Sequence, residues 1–312
     1  MIRRQTMKTT AAAPRPEALT ASTSTHRPFT RTASFEGEKE IPVGPAAARP
    51  HVEVAALPSV AAVDLGDGPK AVFVMGPGRS GKTTLLRYVM EAVPPGRPAP
   101  LAAALDPQNR SLATFLNDVA QPPTHDPVGV ARWAEEPLGF IMAEQQSALL
   151  DMGGGDLSMG KLLEEVPDLA ASLEEAGVQP VALYTLSPRV DDLGVLASYE
   201  AQGFQPKATA LILNAGLADP TLPREDAFAR VLRHSAFRAA VARGAVPIWM
   251  PRLDATVAAE IEGKRLRFGQ ARDGQAPADQ PGAILGSFNR SRVRKWMTEM
   301  DAALSPIRSW LP

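Results

Sequence analysis

The 312-residue chain contains no cysteine, which excludes a disulfide framework, a thiolate metal site and a cysteine nucleophile. It has four histidines, His26, His51, His125 and His234, too scattered in sequence to suggest a histidine-built metal centre. Charge of either sign is not in excess: 33 basic residues face 34 acidic ones, for a formal net charge of -1. That balance excludes a uniformly basic nucleic-acid binder, while leaving room for a local basic patch. No run approaches the roughly 18 consecutive apolar residues of a membrane-spanning helix, so no membrane span is expected. The absence of cysteine fits a reducing, cytoplasmic setting.

What is present is enough apolar material for a sizeable core, with 45% hydrophobic and 21% charged residues. Length alone allows one large α/β domain with tails, or two small domains. Residues 1–68 read as a disordered leader, because their first half is basic and rich in Ser, Thr, Ala and Pro. Its lack of an apolar stretch argues against a secretory signal. A transit peptide, a basic arm for DNA and a plain solvated tail all remain open.

From Lys70 the texture changes to short apolar runs of the kind that form buried parallel strands. They lie at 71–75, 101–105, 148–150, 181–184, 210–213 and 246–249, with helical spacing at 83–92, 162–176 and 191–201. Alternation of this type predicts a doubly wound, mostly parallel sheet with helices on both faces over residues 69–262. The Pro-rich stretch Gln121 to Glu136 reads as an insertion or lid. Residues 263–312 read as a polar linker followed by an amphipathic helix from Asn289 to Leu304.

Gly76-Pro77-Gly78-Arg79-Ser80-Gly81-Lys82-Thr83 matches the phosphate-loop pattern G-x-x-x-x-G-K-S/T in full, between a predicted strand and a predicted helix. Its glycines permit backbone conformations that aim successive N–H groups at phosphate oxygens. Lys82 places a charge beside the terminal phosphates, Thr83 offers a hydroxyl to Mg²⁺, and Ser80 and Thr84 complete the expected nucleotide contacts. The following helix adds the positive end of its dipole.

Two further strand ends carry candidate chemistry. The run ending at Asp151 supplies the acid expected to hold the Mg²⁺ water shell, and Asp151-Met152-Gly153-Gly154 has the D-x-x-G form of a loop that senses a γ-phosphate. Asp156 is a weaker candidate that also suits a helix cap. Asp106, just past the second strand, is placed to orient an attacking water or to contact Mg²⁺; the bland alternative is a turn before a helix near Asn109. The run ending at Asn214 presents an amide suited to a purine edge, or to stabilising a turn. Asn214-Ala215-Gly216-Leu217 lacks the acid that a guanine reader places after this Asn, which favours ATP over GTP.

Together these elements resemble the ParA/MinD branch of P-loop ATPases, which includes plasmid-partition and conjugation-linked members. The resemblance covers roughly Lys70 to Trp249 and rests on the phosphate loop, Leu105-Asp106-Pro107-Gln108, and the strands ending at Asp151 and Asn214. It implies that Asp106 helps to activate water, with Ala104 standing where the family has an earlier Asp. It also implies a homodimer closed face to face around two ATP molecules, and in many members non-specific DNA binding. The family's signature lysine, which reaches across the dimer, has Pro77 at its position here. Arg79 is the nearby substitute charge, with solvent exposure or a local partner as its plainer reading.

Basic residues also cluster at Arg290, Arg292, Arg294 and Lys295 beside Trp296. They form either a phosphate-contacting stripe or the solvated face of a packed helix. Trp296, Met297 and Met300 read as core rather than as a base-stacking platform. Three functions are therefore expected to compete: an ATP-hydrolysing partition or conjugation switch, a small-molecule kinase with its acceptor under the 121–136 lid, and a non-catalytic partner protein of a partition or conjugation apparatus.

Overall fold

The computed structural model describes residues 57–105, 111–116, 118–153 and 157–312. Among them seven strands form one parallel sheet: β1 (Lys70–Met75), β2 (Leu101–Ala104), β3 (Val119–Ala120), β4 (Ala148–Asp151), β5 (Gln179–Leu186), β6 (Ala208–Asn214) and β7 (Val246–Met250). Their order across the sheet is β3-β2-β4-β1-β5-β6-β7. The helices in chain order are α1 (Lys82–Glu91), α2 (Ser111–Phe115), α3 (Pro127–Glu144), α4 (Ser158–Glu165), α5 (Leu169–Glu175), α6 (Leu193–Ala201), α7 (Arg224–Ala227), α8 (Ala229–Arg233), α9 (Ser235–Arg243), α10 (Ala255–Gly263), α11 (Phe268–Asp273) and α12 (Ser287–Leu304).

Central parallel strands need apolar side chains on both faces, and β1 supplies them without a break. Ala71, Phe73 and Met75 point into one core with α3 to α6, α8 and α9, whereas Val72 and Val74 point into a second core with α1, α2 and α10 to α12. Right-handed crossovers explain this sorting. Connections that step toward β3, after β1 and after β2, put α1 and α2 on one face. Connections that step toward β7, after β3, β4, β5 and β6, put their helices on the other. The chain therefore leaves β1 and its neighbours β4 and β5 toward opposite faces, which opens a crevice at their carboxyl ends.

Several expected boundaries move. Pro127 opens α3 rather than a lid: Asp126 caps the helix by accepting from the Gly129 N–H at 2.8 Å, and Pro suits the first turn because it needs no donor there. The predicted 162–176 helix is two helices, broken around Pro167.

The leader also ends earlier than residue 68. Leu57, Val60, Ala62 and Leu65 pack against the cores, the Leu65 N–H reaches Ser309 Oγ at 3.3 Å, and the Val63 carbonyl accepts from Trp310 Nε1 at 2.6 Å. The expected C-terminal helix is present as α12, but the residues before it are packed and not a linker. Phe268, Trp296, Met300 and Trp310 are fully buried in the second core, as the core reading of Trp296 and Met300 expected. Among the described residues no helix is long and apolar enough to cross a membrane.

Candidate functional site

The glycine loop runs from the end of β1 to the start of α1, at the crevice. Gly76 has φ 140° and Gly81 has φ 100°, conformations that L side chains rarely adopt. Space is equally restrictive. A Cβ on Gly76 would lie 2.4 Å from Thr185 Oγ1, and one on Gly81 would lie 2.4 Å from Asn214 Nδ2. Gly81→Ala is therefore expected to cost more than about 1 kcal/mol in denaturant unfolding, because Ala at positive φ is strained and here also displaces Asn214. An unchanged unfolding midpoint would show that the loop is looser than this geometry.

Side chains from β5 and β6 fasten the loop from behind. Thr185 on β5 donates its single hydroxyl proton to the Met75 carbonyl at 3.1 Å, so in the 2.5 Å contact between Ser80 Oγ and Thr185 Oγ1 the serine is the donor. Asn214, at the end of β6, donates from Nδ2 to the Ser80 carbonyl at 2.9 Å and accepts the Gly216 N–H on Oδ1 at 2.9 Å. The turn-stabilising alternative for Asn214 is what these bonds describe, and the same side chain lines a cavity beside the loop. Arg252 then holds the turn after β6 by donating to the carbonyls of Ala215 and Ala218.

Lys82 is 5% exposed, and its ammonium donates to the loop's own carbonyls, Gly76 at 3.0 Å and Pro77 at 3.1 Å. Its charge is thus held inside the curve of the loop. Thr83 is half-buried on the first turn of α1, with Thr84 beside it. Asp151 is buried at the end of β4, paired in register with Val74 of β1 on one side and Ala104 of β2 on the other. The Leu105 N–H donates to the Asp151 carbonyl at 2.9 Å, so the chain leaving β2 passes directly beside this acid. Asp106, Asp156 and the glycines Gly154 and Gly155 lie outside the described residues.

Hydroxyl and carboxylate are hard oxygen donors of the kind Mg²⁺ takes alongside waters and phosphates, so Thr83 and Asp151 fit that ion chemically. Among the described residues there is no cluster of three His, Cys, Asp or Glu side chains that would hold a metal without a ligand's help.

Two cavities adjoin the loop. One of about 260 Å³ runs along α1, between Thr84, Asn214, Met250, Pro251 and Phe268. Another of about 350 Å³ lies toward β5, between Pro77, Ser80, Ser187, Arg189 and Asp192. A larger one, about 580 Å³, sits around Lys70 and Ser147 at the amino ends of the strands, away from the loop. The cavity along α1 runs from the glycine loop to apolar side chains, among them Met250, Leu253, Ile261 and Phe268.

Sequence reading missed Thr185 and Arg87. Arg87 is buried on α1 between the rings of Phe115 and Phe268, at 3.6 and 4.6 Å, and donates to the Leu266 carbonyl. A threonine near the end of an otherwise apolar strand was the one visible signal, for Thr185. Burial, opposed only in part by Glu91 and Glu262, lowers the Arg87 pKa.

No protein-family profile matches the sequence, and no curated protein matches it. Among solved structures, it is similar to cell division protein FtsY of Thermotoga maritima, with 13% identity over 60% of this chain and 63% of that one and a TM-score of 0.38. It is also similar to the signal recognition particle receptor FtsY of Elizabethkingia anophelis, with 13% identity over 73% of this chain and 65% of that one and a TM-score of 0.33. The chain spans just under two thirds of the length of each FtsY structure. Likeness this distant assigns no chemistry; what stands is a doubly wound, all-parallel α/β fold with a phosphate loop at its central strand.

Proposed function

We propose that this chain is an ATP-binding, ATP-hydrolysing switch of the ParA/MinD type, acting in partition or conjugation of a plasmid or another large cargo. The observation that carries the reading is the convergence at the crevice. Lys82 and Thr83 open α1, while Asp151 ends the strand that pairs with β1. Loop amides and Lys82 would hold the β- and γ-phosphates, and the slot along α1 would take the adenine. Mg²⁺, held through Thr83 and the water shell of Asp151, supplies charge neutralisation on the phosphates when bound. Asp106, carried over from sequence alone, would position the attacking water. Positioning and electrostatics then account for catalysis, since phosphoryl transfer asks little covalent chemistry of the protein.

The kinase alternative keeps a place for an acceptor, since Gln121, Trp133 and Glu136 line a cavity of about 410 Å³, although residues 127–144 form a helix and not a lid. Phosphate release from ATP, followed with and without duplex DNA and with light scattering in parallel, tests the reading. Slow release that DNA accelerates, together with an ATP-dependent doubling of mass, is the expected result. Release only when a small-molecule acceptor is supplied would move the protein to the kinases. Tight binding with no release, with or without DNA, would leave a non-catalytic partner protein.

A further inference from the structure

Arg79 sits in the middle of the phosphate loop with φ 64°, a left-handed backbone that costs a non-glycine residue strain. It is the one non-glycine residue of that loop in this conformation. The bonds from Thr185 and Asn214 to Ser80 hold the backbone beside it, but none engages the arginine side chain. The side chain is exposed, and it has no hydrogen-bond or ion-pair partner among the described residues. Position distinguishes it from an ordinary surface arginine. Arg79 and Leu217 line both cavities that flank the loop, the slot along α1 and the cavity toward β5. Arg79 therefore stands where the two cavities meet at the loop.

We propose that Arg79 is a clamping residue, kept in a strained backbone so that its guanidinium closes over the phosphate tail of a nucleoside di- or triphosphate. This rests on the nucleotide reading above and adds to it a contact that neither Lys82 nor the loop amides make. A planar fork of donors suits phosphate oxygens, and it binds them with geometry that a point charge lacks. The clamp grips bound nucleotide generally, so it acts on affinity for diphosphate and triphosphate alike.

Arg79→Gly separates the charge from the backbone, because glycine adopts φ 64° without strain. The experiment is titration of fluorescent ADP and ATP analogues, with inorganic tripolyphosphate as competitor, on wild type, Arg79→Gly and Arg79→Lys. The thermal midpoint of each protein is measured without ligand. Arg79→Gly is expected to unfold at or above the wild-type temperature while binding both nucleotides and tripolyphosphate about tenfold or more weakly. Arg79→Lys should recover part of the affinity. Wild-type affinity in Arg79→Gly overturns the clamp and leaves the nucleotide reading intact. A lowered midpoint in that variant also overturns it, since the arginine would then be structural. Unchanged tripolyphosphate competition would place the contact off the phosphates and refute it as stated. A wild-type protein that takes up neither nucleotide removes both readings together.

Discussion

Lys82→Ala should leave a folded protein whose affinity for ATP drops about a hundredfold or more, read by calorimetric or fluorescence titration. The estimate comes from losing charge-assisted hydrogen bonds, each on the order of 1.5–3 kcal/mol, to phosphate oxygens. The same ammonium now donates to the Gly76 and Pro77 carbonyls, so removing it also loosens the ligand-free loop. That second effect should be small, about 1 kcal/mol, because water entering the crevice can satisfy both carbonyls. The two effects separate in a thermal shift assay. Saturating ATP at about a hundred times its Kd stabilises the wild type by roughly 2.7 kcal/mol, and the variant should show no such shift. Unchanged affinity in a folded Lys82→Ala protein would mean that the loop does not hold phosphate.

How much of this was legible in the sequence follows from where each feature's partners lie. The strands were readable because β1 and β6 are buried along their whole length, and a strand covered on both faces must be apolar throughout. The edge strand β3 was not, since its two residues are only half-buried and carry no pattern. Pro127 was misread because a Pro-rich stretch suggests a loop, although Asp126 one residue earlier is a cap signal. The leader ends earlier than its composition suggests, since Leu65 and Val63 gain their partners from Ser309 and Trp310, 244 and 247 positions away.

The same asymmetry governs the site. Gly76 to Thr83 is contiguous and its chemistry is written in one motif. The support of that loop is not, because Thr185 and Asn214 reach it from 105 and 134 residues downstream. No spacing rule announces such contacts. Asn214 illustrates the consequence: its residue type suited a purine edge or a turn, and its bonds tie β6 to the loop and to the turn that follows.

Trp310 tests whether the two ends of the described fold are held by ring volume or by a hydrogen bond. It is fully buried in the second core, and its Nε1 donates to the Val63 carbonyl at 2.6 Å. Trp310→Ala should lower the unfolding free energy by about 3–5 kcal/mol in denaturant titration, the usual cost of emptying an aromatic site. Against a total stability of roughly 5–15 kcal/mol that is a large fraction, enough to lower the midpoint well outside experimental error. Trp310→Phe keeps most of the volume and loses only the indole donor. Val63 is 40% exposed, so water can replace that donor, and the loss should be nearer 1 kcal/mol. In the alanine variant residues 57–69 should also become the first site of limited proteolysis, because Leu65 and Ser309 lose the wall they pack against. Equal destabilisation by Phe and Ala would reverse the assignment, making the Val63 hydrogen bond, not the buried ring, the element that fastens the segment.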